Sequence, residues 1–308
     1  IRFALVGCGR IAKNHFDSIR QHADHAELVD VCDTDPAALQ KAVQATGAAG
    51  HASLTALLQQ TTADCVILTT PSGIHPQQAV EVARAGRHVL SEKPMATKWE
   101  DGLRMVRACE DAGVRLFVVK QNRKNATLQL LKQAVSQKRF GQIYMVTLNV
   151  FWQRPQVGYY DQAKWRGTWD LDGGAFMNQA SHYIDLLHWM IGPVESVMAY
   201  TATLARNIEV EDSGVAAIRW RSGAMGTLNV TMLTYPKNME GSITILGEKG
   251  TVRIGGVAVN EIQTWEFADA CPEDAEVASS SYQTNANCVF NGSDSTVLTF
   301  GDSREIVA

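Results

Sequence analysis

From Arg2 to about Asn122 the apolar positions fall in short unbroken runs separated by stretches of helical period. Arg2–Val6, Glu27–Asp33, Asp64–Thr70, Arg87–Ser91 and Val114–Val119 are the runs. Apolar at consecutive positions in their centres rather than at every second position, they predict strands buried on both faces, the habit of parallel sheets. Between them lie predicted helices from Ala12 through Ile19, Pro36 to about Thr46, Leu54–Gln60, His75 to about Ala85, and Thr97–Ala112. Such alternation demands right-handed crossovers and a mostly parallel, doubly wound sheet, an α/β Rossmann architecture.

Beyond residue 122 the pattern changes. One amphipathic helix, Thr127–Gln137, is followed by alternating segments at Gln142–Phe151, Val194–Leu204, Ser213–Trp220, Gly226–Leu233, Gly241–Leu246 and Gly250–Ile254. Turn signals at Arg221-Ser222-Gly223 and Gly247-Glu248-Lys249-Gly250 separate several of them, so hairpins and an antiparallel sheet are expected. Two domains follow, 1–122 and 123–308, in keeping with a chain longer than one core usually organises. Gly173 to Met190 reads as a single helix. Its apolar stripe would be Ala180, Ile184, Leu187 and Ile191, with Asn178, His182 and Asp185 on another face. After about Thr284 the chain is rich in Ser, Thr, Asn, Gly and Asp without helical period, which suggests a loop, an edge strand or disorder.

Composition narrows the classes. With 45% hydrophobic and 19% charged residues and a net charge of −4, the chain is an ordinary globular sequence without a basic block for nucleic acid. No apolar run approaches the ~20 residues that span a bilayer. The pattern opens on a strand rather than a signal-peptide-like segment. The six cysteines show no CxxC or zinc-ligand spacing, and three sit inside apolar runs as small hydrophobes. A reduced, cytoplasmic protein is the expectation. His182 and His188 lack i, i+4 ligand spacing, and no metal site is expected.

The chemistry begins where the first strand ends. Gly7-Cys8-Gly9-Arg10-Ile11-Ala12 is G-x-G-x-x-A between a strand and a helix. Gly7 permits the turn, Gly9 lets backbone approach a pyrophosphate, Ala12 lets helix and strand pack, and the helix N-terminus faces the phosphates. Asp33 ends the second strand at the spacing where an acid accepts the adenosine ribose hydroxyls and repels a 2′-phosphate, favouring NAD over NADP. As a rival it is a turn or cap residue before Pro36. Thr70, Pro71 and His75 follow a strand end and should flank the cofactor, although His75 also suits an ordinary first-turn position. The strand ending at Ser91 delivers Glu92 and Lys93 to the same edge. Trp152, Arg154, Tyr159, Tyr160, Lys164, Trp165, Arg166 and Trp169 crowd together. Guanidinium forks and flat rings suit an anionic, ring-containing ligand, and equally an interface with a partner chain.

The glycine loop, Glu92-Lys93-Pro94 and the later Gly173-Gly174…His182 run resemble the glucose–fructose oxidoreductase / inositol dehydrogenase (Gfo/Idh/MocA) family over roughly residues 1–280. Lys120-Gln121-Asn122-Arg123 and Trp165-Arg166-Gly167-Thr168-Trp169…Gly173-Gly174…Asn178-Gln179…His182 are most similar to its branch of NAD-dependent dehydrogenases acting on UDP-N-acetyl-glucosaminuronic acid. That resemblance implies a second α/β domain with a large open, mainly antiparallel sheet, and commonly a homotetramer. It implies a 3-keto sugar product for O-antigen and lipopolysaccharide synthesis, and allows NADH recycling by 2-oxoglutarate. It places Gly7, Gly9, Arg10, Ile11, Asp33, Thr70, Pro71, His75, Glu92, Lys93 and Gln121 at NAD. The UDP-sugar falls to Lys93, Arg123, Tyr160, Trp165, Arg166, Asn178, Gln179 and His182, with Lys93 and His182 catalytic. Many relatives carry Asp where Asn178 stands, and an amide cannot raise the histidine's proton affinity by charge. The resemblance further implies closing helices in place of the tail seen here. Two rivals remain: a dehydrogenase of a free sugar or polyol, and a non-enzymatic sensor on the same fold.

Overall fold

A computed structural model describes residues 1–271 and Asp274. The tail after Thr284 lies outside these residues. The chain divides into two compact units, the first Ile1–Val119 with Asp170–Asp172, the second Lys120–Trp169 with the described residues from Gly173 onward.

The first unit carries β1 (Arg2–Val6), α1 (Ala12–Gln21), β2 (Glu27–Cys32), α2 (Pro36–Thr46), β3 (Ala49–His51), α3 (Leu54–Gln60), β4 (Cys65–Leu68), α4 (His75–Arg84), β5 (His88–Ser91), α5 (Trp99–Asp111) and β6 (Leu116–Val118). The strands form one sheet in the order β3-β2-β1-β4-β5-β6, every pairing parallel. β3 was not foreseen; its short run Ala49-Gly50-His51 has no apolar pattern to announce it. Ala4, Leu5, Val66, Leu68 and Val89 are wholly buried, as strands covered on both faces must be. Local signals set the helix ends. Asp35 caps α2 by accepting the Ala37 N–H at 2.9 Å, Pro36 takes its first turn, and Gly47 closes it at φ +74°. Ser53 caps α3 in the same way.

The second unit holds α6 (Ala126–Ser136), β7 (Ile143–Phe151), α7 (Ser181–Ile191), β8 (Val194–Ala202), β9 (Ser213–Trp220), β10 (Met225–Thr231), β11 (Glu240–Gly247), β12 (Gly250–Gly255) and β13 (Glu261–Phe267). Its sheet runs β13-β12-β11-β7-β10-β9-β8. All pairings are antiparallel except the central one, β7 with β10, which is parallel. Hairpin spacing alone misses this. The long connection from β7 through α7 to β8 is a crossover, and two hairpins then return β10 beside β7 in the same direction. Val146, Leu148, Val150, Leu228, Val230, Ile243 and Ile245 turn one sheet face to the core, where Leu128, Leu131, Tyr183, Leu186 and Leu187 from α6 and α7 meet it.

The single helix expected over 173–190 is two pieces. Ala175–Gln179 is a π-type turn, and the α-helix starts only at Ser181. Ala180 and Leu187 are buried and Ile191 packs against the core as expected, but the buried stripe of α7 centres on Tyr183, Leu186, Leu187 and Met190, and Ile184 is exposed. The entry is set by Gly173 at φ +82° and by Glu211: a Cβ on Gly174 would lie about 2 Å from the Glu211 carboxyl, which accepts the Phe176 N–H at 3.0 Å. An inserted residue per turn of this kind is common where a side chain must be re-aimed at a functional site.

Candidate active site

In the first unit the site is made largely of backbone. Gly7 stands at φ +97°, and a Cβ there would lie 2.9 Å from the Thr69 carbonyl, so only glycine fits the turn. Gly9 is the opposite case: a Cβ would meet nothing within 4 Å, and the loop there is open. Arg10 and Ile11 are exposed beside it. α1 begins with neither a side-chain cap nor an acidic residue in its first turn. Its N–H groups and dipole end thus remain available to an anion. Asp33 is neither a plain turn residue nor the cap of α2. One carboxylate oxygen accepts the Cys8 N–H at 2.6 Å and the other the Asp35 N–H at 2.8 Å, which ties the glycine loop to the end of β2. An open glycine turn, an uncapped helix start and an acid at the second strand end fit NAD.

Along the same sheet edge, Thr69 Oγ1 donates to Val6 and Gly7 carbonyls and Thr70 Oγ1 to Gln78 Oε1 at 2.6 Å. His75 is buried, with Nε2 2.8 Å from the Thr70 carbonyl and Nδ1 3.1 Å from the Pro94 carbonyl. Burial depresses its pKa against the pull of these carbonyls and of Glu92. A neutral imidazole carries one N–H, so His75 donates to one of these carbonyls and packs against the other, buried between two loops in a positioning role. Against the adjoining turn lies the strap Asp170–Asp172. Gly73 N–H donates to the Leu171 carbonyl at 3.1 Å, and a Cβ on Gly73 would lie 1.7 Å from the Asp170 oxygen.

Lys93 is fixed through Glu92. One Glu92 oxygen accepts the Lys93 N–H at 3.1 Å and the other contacts His15 Nε2 at 2.9 Å. Burial alone raises the Glu92 carboxyl, but the His15 contact and the Lys93 charge bring the balance below the ordinary range, so it is a carboxylate. His15 was missed by sequence reasoning. A signal existed: with Ala12 and Ile19 it lies on the buried face of α1, and a polar side chain on an apolar stripe needs a buried partner.

In the second unit the site is made of side chains holding side chains. Gln121, expected at the cofactor, lies with its Nε2 3.3 Å from His182 Nε2. Asp185, one turn after His182, receives a bidentate fork from Arg123 at 2.8 and 2.7 Å, with Lys120 Nζ at 4.0 Å. The Arg123 guanidinium also lies 5.4 Å from the Trp189 ring centre, so its first role is to anchor α7. Gln179 joins Arg154 Nε at 3.0 Å to the Tyr159 hydroxyl at 2.7 Å. Asn178 Oδ1 accepts from the Gln179 amide at 3.4 Å.

The aromatic–arginine cluster resolves into parts. Tyr159 lies beneath both Arg154 and Arg166, at 5.4 and 4.5 Å, and Arg166 lies 5.6 Å from Trp165. Arg154 is spent: it also donates to the Gln153 carbonyl and to Asn238 Oδ1. Among the described residues Arg166 donates through Nη1, to the Tyr159 carbonyl at 2.6 Å and Gln162 Oε1 at 3.1 Å, which leaves half of its fork for a ligand. Tyr160 is buried edge-on against Tyr159, and Trp169 is exposed. Among the described residues no group of three or more His, Cys, Asp or Glu could hold a metal ion.

The glycine turn, uncapped helix start and strand-end acid of the first unit are those of an NAD-dependent oxidoreductase of the Rossmann class. Residues 1–120 match the oxidoreductase family with an NAD-binding Rossmann fold, and residues 128–253 the GFO/IDH/MocA C-terminal domain. The chain belongs to the GFO/IDH/MocA family of dehydrogenases acting on CH–OH groups. It is 72% identical to the WlbA dehydrogenase of Chromobacterium violaceum, covering 90% of this chain and 80% of that one at a TM-score of 0.89. It is 68% identical to WlbA of Bordetella pertussis, covering 95% and 84% at a TM-score of 0.92. Both were crystallised with NADH and UDP-GlcNAcA. Inositol 2-dehydrogenase of Rhizobium meliloti is 28% identical over 82% of this chain and 74% of its own length.

Proposed function

We propose that the protein oxidises the 3-hydroxyl of UDP-N-acetyl-glucosaminuronic acid to the 3-keto sugar, with NAD as oxidant, in synthesis of bacterial O-antigen or lipopolysaccharide. The observation that carries this is the 68–72% identity to two dehydrogenases that bind NADH and this sugar nucleotide. NAD, when bound, supplies the hydride acceptor. Gly7, Gly9, Arg10 and Ile11 receive its pyrophosphate and Asp33 its ribose. Thr70, Pro71 and Glu92 shape the edge at which it ends. Lys93 donates to the reacting oxygen and stabilises the charge that develops there. His182 takes the hydroxyl proton as general base. Gln121, with its Nε2 3.3 Å from His182 Nε2, orients the imidazole ring and must yield that nitrogen to the substrate hydroxyl when the proton is taken. Arg166 and Trp165 receive the diphosphate and base, while Asn178 and Gln179 orient the sugar.

The five free cysteines among the described residues support a reducing, cytoplasmic setting. No helix among those residues is long and apolar enough to cross a membrane. A homotetramer is part of this reading. It is supported by β8, exposed along its whole length with Met198 and Tyr200 at 78% and 82%. Recycling of NADH by 2-oxoglutarate is the remaining part, which the family resemblance allows.

The test is formation of NADH absorbance with UDP-N-acetyl-glucosaminuronic acid, with myo-inositol and free N-acetylglucosamine as controls. Turnover of the nucleotide sugar alone is expected. Turnover of inositol alone points to a polyol dehydrogenase, and NAD binding without turnover across the panel points to a sensor.

A further inference from the structure

A substrate with both a diphosphate and a uronate presents two anionic ends, and Arg166 accounts for one. The other must be received close to the histidine, because the carboxylate is borne on C5 and the reacting hydroxyl on C3, with only C4 between them. The polar face of α7 and the turn Gln121–Lys124 before α6 supply the charges there. Asp185 follows His182 by three residues, which sets the two side chains about 5–6 Å apart on one helix face. Its carboxylate is fully engaged by the Arg123 fork. Lys120 stands beside this pair, 4.0 Å from Asp185, too far for a hydrogen bond, and its ammonium donates to no group among the described residues. Arg123, Asp185 and Lys120 together leave one positive charge, and it resides on Lys120.

We propose that Lys120 is the specificity residue of this enzyme: its ammonium pairs with the C5 carboxylate of the sugar and so selects a uronate over the parent hexose. This rests on the substrate proposed above. The Lys120 side chain is 27% exposed, enough to be reached and dry enough for a pair to matter. Burial lowers its proton affinity, Asp185 opposes that and the Arg123 cation adds to it. An incoming carboxylate would relieve that imbalance. Asp185 and Arg123 then act as the fixed base of the site, holding Lys120 and His182 in register with one substrate edge.

The experiment uses the full chain with NADH bound and two ligands that differ only at this end: UDP-N-acetyl-glucosaminuronic acid and UDP-N-acetylglucosamine, whose hydroxymethyl replaces the carboxylate. Calorimetry on wild type, Lys120→Met and Lys120→Gln gives Kd for each, and steady-state assays give KM and kcat for the uronate. Loss of a charged hydrogen bond predicts about a 10- to 100-fold weaker Kd and a matching rise in KM for the uronate in both variants. The UDP-N-acetylglucosamine Kd should stay unchanged, and kcat should fall less than KM rises. Equal weakening for both ligands, or no weakening for the uronate, overturns the assignment. NADH affinity and the thermal midpoint report whether each variant folds, and Lys120→Arg should restore part of the preference. Wild type that binds neither nucleotide sugar overturns the substrate reading itself, an outcome seen without any variant.

Discussion

The two units build their candidate sites from different materials. In the first unit the working groups are main-chain: a turn only glycine can make at Gly7, an open loop at Gly9, and uncapped N–H groups of α1. In the second, nearly every working side chain is held by another, as Gln121 meets His182, Arg123 and Lys120 meet Asp185, and Gln179 joins Arg154 to Tyr159. A backbone site tolerates change at most side chains and fails at its glycines. A side-chain site distributes its geometry over partners far apart in the chain, so loss of one is felt by the next. The first arrangement suits a cofactor common to many enzymes, and the second suits a substrate that differs among them.

The largest expected effect is at Lys93, the proposed catalytic side chain of the first unit. Lys93→Ala should lower kcat by about 10²- to 10⁴-fold, while NAD affinity by fluorescence titration stays near wild type. Normal turnover removes Lys93 from the chemistry. Next comes Asp33→Asn, which keeps an acceptor for the Cys8 N–H but removes the charge. Preference for NAD over NADP, measured as the ratio of Kd values, should fall by about 10-fold or more. An unchanged ratio would take Asp33 out of the ribose site.

The third contrast is within the second unit. Arg154 is engaged by Gln179, Asn238 and the Gln153 carbonyl, whereas Arg166 has half its fork open. Arg154→Met should cost about 1–3 kcal/mol in urea denaturation, since it leaves buried acceptors unmet. Arg166→Met should leave stability nearly unchanged and weaken the nucleotide sugar. The reverse pattern would exchange their roles.

The smallest effect separates the units by acid. His75 in the first unit has its pKa depressed by burial. The unfolded chain therefore binds the proton more readily, and stability from this group is lost as pH falls below about 6.5. Asp274 in the second unit is held down to about 2, first by the Arg139 hydrogen bond and then by Trp265 and the Cys271 N–H, against its desolvation. Its contribution is complete above the ordinary carboxylate range and is lost only as pH falls from about 4 toward 2. Fluorescence-monitored urea titrations between pH 7 and 3 should show a decline starting near 6.5 that His75→Gln shifts to lower pH. A decline unaffected by that change would assign it to another group.

The parts legible in advance follow the same division. G-x-G-x-x-A, the acid at Asp33 and the strand into Glu92-Lys93-Pro94 are contiguous in the chain, and their chemistry depends on local backbone shape. The bent entry to α7 was not legible, because the carboxyl that fills the space over Gly174 comes from Glu211, remote in sequence. Ile184 was assigned to the core by a single helical wheel over 173–190, whereas α7 begins only at Ser181 and buries Tyr183, Leu186, Leu187 and Met190 instead. Nor could hairpin spacing reveal that β7 and β10 run parallel, since that depends on how a long crossover returns.

Sequence alone therefore sufficed for the doubly wound first unit and its NAD-binding class, and it singled out Lys93 and His182 as the proposed catalytic pair. Periodicity and turn chemistry are local, and both are written residue by residue. Tertiary structure decided which side chains remain available. It spent Arg154 and Arg123 on internal partners, sent His75 inward as a clamp, locked Lys93 to α1 through Glu92 and His15, and left Lys120 with charge to spare. The reason is physical: hydrogen-bond and charge satisfaction is settled between groups that meet only after folding.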